Sequence, residues 1–368
     1  MLVDRGKSKN KKGEEPSIPT LRLGLIGCGR IAQLVHLNIL TSLPDVELVA
    51  IADSQPGRRK EAVSRAPRVV AFDNYQELLK MPEVEAVVIC LPPALHAGAA
   101  IVSFQAGKHL YLEKPIATSL ADARAVVQAW RQAGTVGMTG FNYRFNVLYQ
   151  SAKQFIQAGG LGDLVAVRTV FSSTAYEVPV WKQTRKDGGG ALLDLASHHI
   201  DLIPFLFEAE IVEVSAKLRS QHGEEDSVIL QMRLANDLLV QSFFSISAVD
   251  EDRLEVYGRN GKLTFDRYAG DLRITAPAFE YGRLKLLRRE LIGLKSAVKR
   301  VIRPPGEPSF RAALGAFASA SIAGHTVSPN LEDCYRCLVV IEAAEESART
   351  QKVVSLADFI QGGVKSYG

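Results

Sequence analysis

An apolar run, Leu21-Arg22-Leu23-Gly24-Leu25-Ile26, meets Gly27-Cys28-Gly29-Arg30-Ile31-Ala32, and an apolar-periodic stretch follows to about Thr41. The run reads as a buried strand and the stretch as a helix. Gly27 permits the tight turn between them, Gly29 lets a pyrophosphate approach the backbone, and Ala32 lets helix and strand pack closely. The helix N-terminus faces such phosphates with free N–H groups. The motif G-x-G-x-x-A is weak when bare; the strand before it and the helix after it give it force. A second strand, Val46–Ala52, ends at Asp53. An acid there accepts from both ribose hydroxyls of a dinucleotide and repels a 2′-phosphate, which favours NAD over NADP. Arg58 and Arg59 lie nearby and could soften that preference, although solvent-facing helix residues are the simpler reading.

The alternation continues. Tyr75–Lys80 reads as a short helix and Glu85–Leu91 as a strand followed by Pro92-Pro93. A helix runs from about Leu95 to Ala106, with His96 near its start as a cap or cofactor neighbour. Lys108–Leu112 is a strand ending in Glu113-Lys114-Pro115. Ser119–Ala133 is a helix with Ser119 as N-cap and Asp122 at the capping-box position. Thr135–Gly140 is a strand ending in Phe141-Asn142-Tyr143-Arg144-Phe145. Strands alternating with helices predict an α/β, doubly wound parallel sheet, with ligands at the carboxyl ends of its strands. Gly27–Ala32, Asp53, Leu91–Pro93, Glu113–Pro115 and Gly140–Arg144 all fall at such ends.

Beyond about Asn146 the pattern changes. A helix, Val147–Ala158, leads to a strand, Leu164–Ser173, and a loop carrying Tyr176, Trp181, Lys182 and Arg185. Strands at Ile211–Leu218, Ser227–Leu234 and Leu238–Ser247 follow, and Leu254–Tyr257 and Lys262–Asp266 flank the turn Gly258-Arg259-Asn260-Gly261. Adjacent strands with short turns predict an antiparallel sheet, so the second domain is α+β, with helices at Phe310–Ala323 and Leu331–Thr350. The expected division is a flexible polar tail over 1–19, a nucleotide-binding domain over 20–143 and the α+β domain over 144–360.

After that loop in the second region comes Gly188-Gly189-Gly190-Ala191-Leu192-Leu193-Asp194, continuing to His198 and Asp201. Asp194 and His198 are four apart and share one face of a helix. A carboxylate beside an imidazole holds one tautomer and raises its basicity, which suits a general base near neutral pH. Of the four cysteines, Cys334-x-x-Cys337 invites a metal or redox reading, but no second ligand pair exists, so buried thiols and no metal are expected. No apolar run approaches the ~20 residues needed to span a bilayer. The lysine-rich Met1–Pro19 lacks the apolar core of a secretory signal, and a cytoplasmic location is expected.

Five motifs in this order resemble the glucose–fructose oxidoreductase/inositol dehydrogenase (Gfo/Idh/MocA) family. They are G-x-G-x-x-A with Asp53; Leu91-Pro92-Pro93-x-x-His96; Glu113-Lys114-Pro115; Gly140-Phe141-Asn142-Tyr143-Arg144-Phe145; and Gly-Gly-Gly-x-Leu-x-Asp194-x-x-x-His198-x-x-Asp201. The resemblance covers about Leu21 to Leu356. It implies a Rossmann domain followed by an α+β domain whose large, mostly antiparallel open sheet serves for oligomerisation. It also implies NAD(P)-linked oxidation or reduction of a sugar or cyclitol, with the family's catalytic lysine, aspartate and histidine at Lys114, Asp194 and His198. In that reading His198 takes the hydroxyl proton, Asp194 orients it, and Lys114 binds the reacting oxygen. Gly27, Gly29, Arg30, Ile31, Asp53, Leu91, Pro92, His96, Glu113, Lys114 and Asn142 are the expected cofactor contacts. Arg144 and Trp181 join Lys114, Asp194 and His198 as expected substrate contacts.

Other readings are a nucleotide-sugar ketoreductase, a glycosidase-like member with no net redox, and a non-catalytic NAD-sensing regulator. An intact Lys114/Asp194/His198 set argues against the last. The expected partners are a sugar or cyclitol and further copies of the chain as a dimer or tetramer, with no nucleic acid. Residues 283–303 form a separate question. Leu287, Leu291, Leu294, Val298 and Val301 make one apolar helical stripe, and eight cations accompany the single acid Glu290, in a chain of net charge +4. Packing against the protein's own sheet or a second subunit is the ordinary reading; weak contact with an anionic membrane surface is the other. NAD(H) is expected to bind more tightly than NADP(H). Fluorescence titration of both checks this; tighter NADPH binding would sink it, and Asp53→Ser should narrow the gap.

Overall fold

The computed structural model describes residues 19–174, 182, 184–275 and 308–362. Among these the strands form two sheets. The first contains β1 (Leu21–Ile26), β2 (Val46–Ala52), β3 (Val70–Phe72), β4 (Ala86–Ile89), β5 (His109–Leu112) and β6 (Gly137–Thr139). Their spatial order is 3-2-1-4-5-6 and all pairings are parallel. The order reverses between β1 and β4, so the carboxyl ends of these two strands open a crevice.

Side-chain alternation divides the strands between two cores, as a parallel sheet buried on both faces requires. Leu21, Leu23 and Leu25 of β1 and Ala86 and Val88 of β4 face one core. Ile26, Val87 and Ile89 face the other. The helices Tyr75–Leu79, His96–Gln105 and Leu120–Ala133 cover the latter face. The Leu120–Ala133 helix starts at its expected cap, where Ser119 Oγ accepts from Asp122 N at 3.2 Å.

The other face is covered partly from far along the chain. Ala313, Leu314, Phe317 and Ala318 of the Pro308–Ala323 helix pack with Leu37, Leu40 and the β1 leucines. Phe317 meets Tyr111 of β5 edge-on, with centroids 5.8 Å apart. This helix was expected to accompany the second sheet; instead it completes the layer over the first. The Pro56–Arg65 helix, anticipated only in the reading of Arg58 and Arg59 as helix residues, buries only Ala62, so its sequence shows almost no apolar stripe; β3, three residues long, was not expected.

The second sheet contains β7 (Leu164–Thr174), β8 (Ile211–Arg219), β9 (Ser227–Leu234), β10 (Leu239–Ser245), β11 (Ser247–Gly258), β12 (Gly261–Asp266), β13 (Asp271–Thr275) and β14 (Val354–Ser355). The order is 13-12-11-7-10-9-8-14, antiparallel except for β7 beside β10. Its inner face, with Val228, Leu230, Met232 and Leu234 of β9, packs on the helices Ser197–Phe207 and Leu331–Thr350. Its outer face carries exposed Val165, Ile229, Leu239 and Phe243. No helix among the described residues is long and apolar enough to cross a membrane. Trp181 and the 283–303 stripe lie outside the described residues.

Phe317→Ala tests the returning helix. It removes a fully buried ring between helix and sheet and should cost about 3–5 kcal/mol. Urea unfolding gives the number; a loss below about 1 kcal/mol would mean the helix is not integral to this layer.

Candidate active site

The crevice begins at the glycine turn. Gly27 has φ +89°, and a Cβ there would come within 2.7 Å of the Cys90 carbonyl oxygen. The turn can therefore lie tight against the end of β4 only because Gly27 has no side chain. Gly29, by contrast, faces open space: a Cβ would meet nothing closer than Arg58 Nη1 at 4.0 Å. Arg30 is exposed and Ile31 half-buried at the start of the following helix, which passes through a π-turn at Ala32–His36 before Leu37–Leu40. Asp53 is 8% exposed. Its carboxylate accepts from Cys28 N and from Gln55 N, both at 2.8 Å, and so braces the turn.

Arg58 and Arg59 do not simply point into solvent. Arg59 donates to the Asp53 carbonyl at 2.6 Å, and the Arg58 guanidinium stands 3.9 Å from the Asp53 carboxylate. Pro56 starts the helix three residues after Asp53, so its first turn wraps over the strand end. An open glycine backbone, a carboxylate at the β2 end and a helix start are the parts a dinucleotide needs, and they fit one here.

Leu91, Pro92 and His96 form the neighbouring wall. His96 is buried, with Nε2 2.8 Å from Leu91 O and Nδ1 2.6 Å from Pro115 O. It ties the loop after β4 to the loop after β5. Glu113 is held by His36, whose Nε2 lies 2.7 Å from its carboxylate.

Lys114, next in the chain, crosses to the second domain. Its Nζ donates to Asp194 O at 2.6 Å and to Asp194 Oδ1 at 3.0 Å. Asp194 lies in a π-turn, Leu192–Ala196, that runs into the Ser197–Phe207 helix. The glycine run ahead of it docks on the other wall: Gly188 has φ +106°, and a Cβ there would strike Pro93 at 2.5 Å. Lys182 completes the set, donating to Asp194 Oδ2 at 2.5 Å. Burial works against ionisation of Asp194, but Lys114 and Lys182 outweigh it and hold the carboxyl well below its usual range.

His198 is not the partner of Asp194. Its Nδ1 is buried without a hydrogen-bond partner among the described residues. Its ring instead stacks on Tyr143, with centroids 4.4 Å apart and planes 20° from parallel. Burial and the Lys114 charge push its pKa well below that of a free histidine, so the imidazole is neutral at pH 7.

Beneath the stack lies a group that sequence reading missed. Asp252, fully buried, accepts from Tyr143 Oη at 2.9 Å, Tyr149 Oη at 3.3 Å and Arg267 Nε at 2.6 Å, with His199 Nε2 at 3.1 Å. The Arg267 guanidinium also lies 4.8 Å from the Tyr143 ring centre. Burial opposes its charge, but His199 and Arg267 hold the Asp252 carboxyl down at about 2. One signal was available: Asp252 is in phase with the inward-facing Leu254 and Val256 of β11.

Two expected contacts lie elsewhere. Arg144 is drawn into a fork with Asp201, at 2.6 and 2.9 Å, with Asp333 at 3.5 Å and Ser328 Oγ at 2.9 Å. Two acids and a hydroxyl occupy the guanidinium, so it is not a substrate grip. Asn142 is 1% exposed and donates to Ser309 Oγ at 2.7 Å, which turns it to the returning helix rather than the crevice. All four cysteines are buried, and burial pushes the thiols up; Cys337 Sγ donates to Ser197 O.

A glycine turn at the switch point of a parallel sheet, facing a lysine that reaches a second domain, defines a two-domain dinucleotide-binding protein. Comparison with known proteins agrees. The model "Oxidoreductase family, NAD-binding Rossmann fold" matches residues 21–141, and "GFO/IDH/MocA C-terminal domain" matches 149–264. The myo-inositol 2-dehydrogenase of Thermotoga maritima is 28% identical over 255 residues, 67% of this chain and 75% of that protein. The inositol 2-dehydrogenase of Rhizobium meliloti is 31% identical over 253 residues, 66% and 74% of the two chains. The WlbA dehydrogenase from Bordetella pertussis, solved in complex with NADH and UDP-GlcNAcA, superposes with TM-score 0.78 at 22% identity over 92% of this chain and 98% of its own. The chain belongs to the GFO/IDH/MocA family and is an NAD(P)-dependent oxidoreductase.

Asp252→Ala should lower stability by about 3–5 kcal/mol, because it removes the buried carboxylate that Arg267, His199, Tyr143 and Tyr149 share. Thermal and urea unfolding check this. A change below about 1 kcal/mol would show that water reaches the cluster.

Proposed function

We propose that the chain moves hydride between the nicotinamide and a secondary alcohol or ketone of a sugar or cyclitol. The observation that supports this most is Lys114, bonded to Asp194 beside the dinucleotide crevice, with His198 close enough for the Lys114 charge to lower its pKa. The bound cofactor supplies the hydride-accepting or hydride-donating carbon. The protein must then manage one proton and one developing charge. His198 is neutral and takes the hydroxyl proton during oxidation; with Nδ1 buried, Nε2 is the atom left for it. Lys114 donates to the reacting oxygen and stabilises its negative charge as the proton leaves. Asp194 positions Lys114, a role different from the orientation of His198 that sequence spacing suggested.

Names of relatives as inositol 2-dehydrogenases support a cyclitol or sugar substrate. Asp53 supports NAD as the preferred dinucleotide, because its carboxylate repels a 2′-phosphate. The exposed apolar side chains on the outer face of β7, β9 and β10 support a homo-oligomer built through that sheet.

NADH formation from inositols and hexoses tests the reaction. His198→Ala and Lys114→Ala should each lower kcat roughly 10²-fold or more while NADH binding persists. Asp194→Asn combined with Lys114→Ala should be less than additive, since one acts through the other. Near-normal turnover in Lys114→Ala would remove the basis of this assignment. Oxidation needs the neutral imidazole, so the rate should hold through neutrality and fall only at acid pH. Lys114→Met removes a cation that opposes His198 protonation, so the acid limb of its residual activity should move to higher pH.

A further inference from the structure

The base of the proposed reaction lacks a hydrogen bond that would set its ring. His198 lies in the Ser197–Phe207 helix, which restricts its first side-chain torsion, but the second torsion of a histidine is broad and leaves the ring plane loose. Its Nδ1 is buried with no partner among the described residues. Nε2 must nonetheless come within about 2.6–3.2 Å of the hydroxyl it serves. Three phenyl or phenol rings lie near the imidazole. Phe141 and Phe171 are inclined to it by 75° and 54°, with centroids 6.4 and 6.1 Å away. Tyr143 alone of the three lies nearly parallel, 4.4 Å away and 20° from its plane. Tyr143 is itself held firmly: its Oη donates to Asp252 at 2.9 Å, the Tyr149 ring lies 18° from its plane at 5.5 Å, and the Arg267 guanidinium is 4.8 Å from its centre. A buried phenol bonded to a fully buried carboxylate cannot turn without breaking that bond.

We propose that Tyr143 is a positioning residue of the reaction: its ring face sets the plane of His198 and keeps water off that face, so that the base meets the hydroxyl already aligned. The proposal rests on the hydride-transfer reading above. The charged groups that act on the imidazole are Lys114 and Asp194 at the crevice, and Arg267 and Asp252 from the second sheet. The two cations oppose its protonation and the two carboxylates favour it, so burial is the largest influence that keeps it neutral. Tyr143 contributes to that burial directly, because it covers the imidazole face to face. The competing claim is a packing role alone, in which the ring fills space and an aliphatic side chain of similar length would serve as well.

Two measurements on the full chain separate them. The first is the magnetic resonance of His198 in protein carrying isotope-labelled histidine, with the signal identified by its loss in His198→Ala. Protons of a ring stacked on an aromatic face are shifted upfield by the ring current. The His198 signal should therefore lie upfield of a free histidine's in the wild type and in Tyr143→Phe, and move back in Tyr143→Met and Tyr143→Leu. The second is NADH formation from inositols and hexoses. Tyr143→Met should lower kcat about 10²-fold, the cost of a misplaced catalytic group, with KM and NADH affinity nearly unchanged. Tyr143→Phe keeps the face and forfeits one hydrogen bond, so it should recover turnover to within about fivefold of the wild type. Added to His198→Ala, Tyr143→Met should cost almost nothing more, because one acts through the other. NADH affinity and melting temperature report whether each variant is folded. An unshifted His198 signal in the wild type, a shift that survives in the folded Met or Leu variant, or a full Tyr143→Met loss on top of His198→Ala overturns the proposal. The wild-type signal decides even where those two variants fail to fold. A shifted signal that depends on Tyr143, without NADH formation from any sugar in the presence of NAD, sinks the dehydrogenase reading and leaves Tyr143 as the residue that sets the plane of His198.

Discussion

The Lys114–Asp194 pair joins the two halves of the molecule at the point where chemistry is proposed. Lys114 leaves the end of a parallel strand, and Asp194 lies in the first turn of a second-domain helix, 80 residues later. The ammonium takes both the side-chain and the backbone oxygen of Asp194, which fixes distance and direction together. The pair depends on others for its place. His96 pins the loop after β5 through Pro115, and Pro93 seats the glycine run before Asp194. Each contact closes a long chain loop, so each helps set how far the crevice lies from the second sheet.

His198 is held differently. It has no hydrogen-bond anchor at Nδ1, and its orientation comes from a face, the Tyr143 ring. That ring is fixed in turn by Asp252 and capped by Arg267. A stacked imidazole keeps its ring plane while its protonation state changes, because no partner must reverse donor and acceptor roles. The same surroundings lower its pKa: the stack excludes water and Lys114 adds a nearby positive charge. Orientation and neutrality thus share one cause, burial against an aromatic floor.

What the sequence disclosed was local. The glycine turn, the strand ends and the cap at Ser119 depend on residues within a few positions of one another, so their chemistry is visible in order. The polar Pro56–Arg65 helix was marked only by Arg58 and Arg59 and not by a period, because it has almost no buried face. The partner of Asp194 was misassigned for a different reason. Spacing of four places His198 on the same helical face, yet the π-turn at Leu192–Ala196 changes the local rotation, and a lysine 80 residues away fills the carboxylate. Asp252 and Arg144 belong to tertiary pairings that no local pattern encodes, although the inward phase of Asp252 marked it as a buried acid needing partners. Arg144 looked like a polar grip for substrate because it follows a strand end on the ligand side of the sheet. Asp201, 57 residues on, takes both arms of its fork.

Arg144 also bears on how the crevice can work. The stretch from Gly137 to Asn146 is bonded on several sides. Thr139 donates to Pro329 O and Asn330 O, Asn142 to Ser309, Tyr143 to Asp252 and Arg144 to Asp201. The partners come from the returning chain, the second sheet and the helix that carries His198. A rotation of one domain on the other about this stretch would have to open the bonds of Thr139, Asn142 and Tyr143 to the later part of the chain. These bonds tie the walls of the crevice together and hold Lys114, Asp194 and His198 in place. Preorganisation of this kind favours reactions in which the protein's task is to hold a proton acceptor and a fixed positive charge at known positions. Hydride transfer at a ring carbon is such a reaction, since the two changes it asks of the protein, one proton accepted and one charge stabilised, occur at a single oxygen.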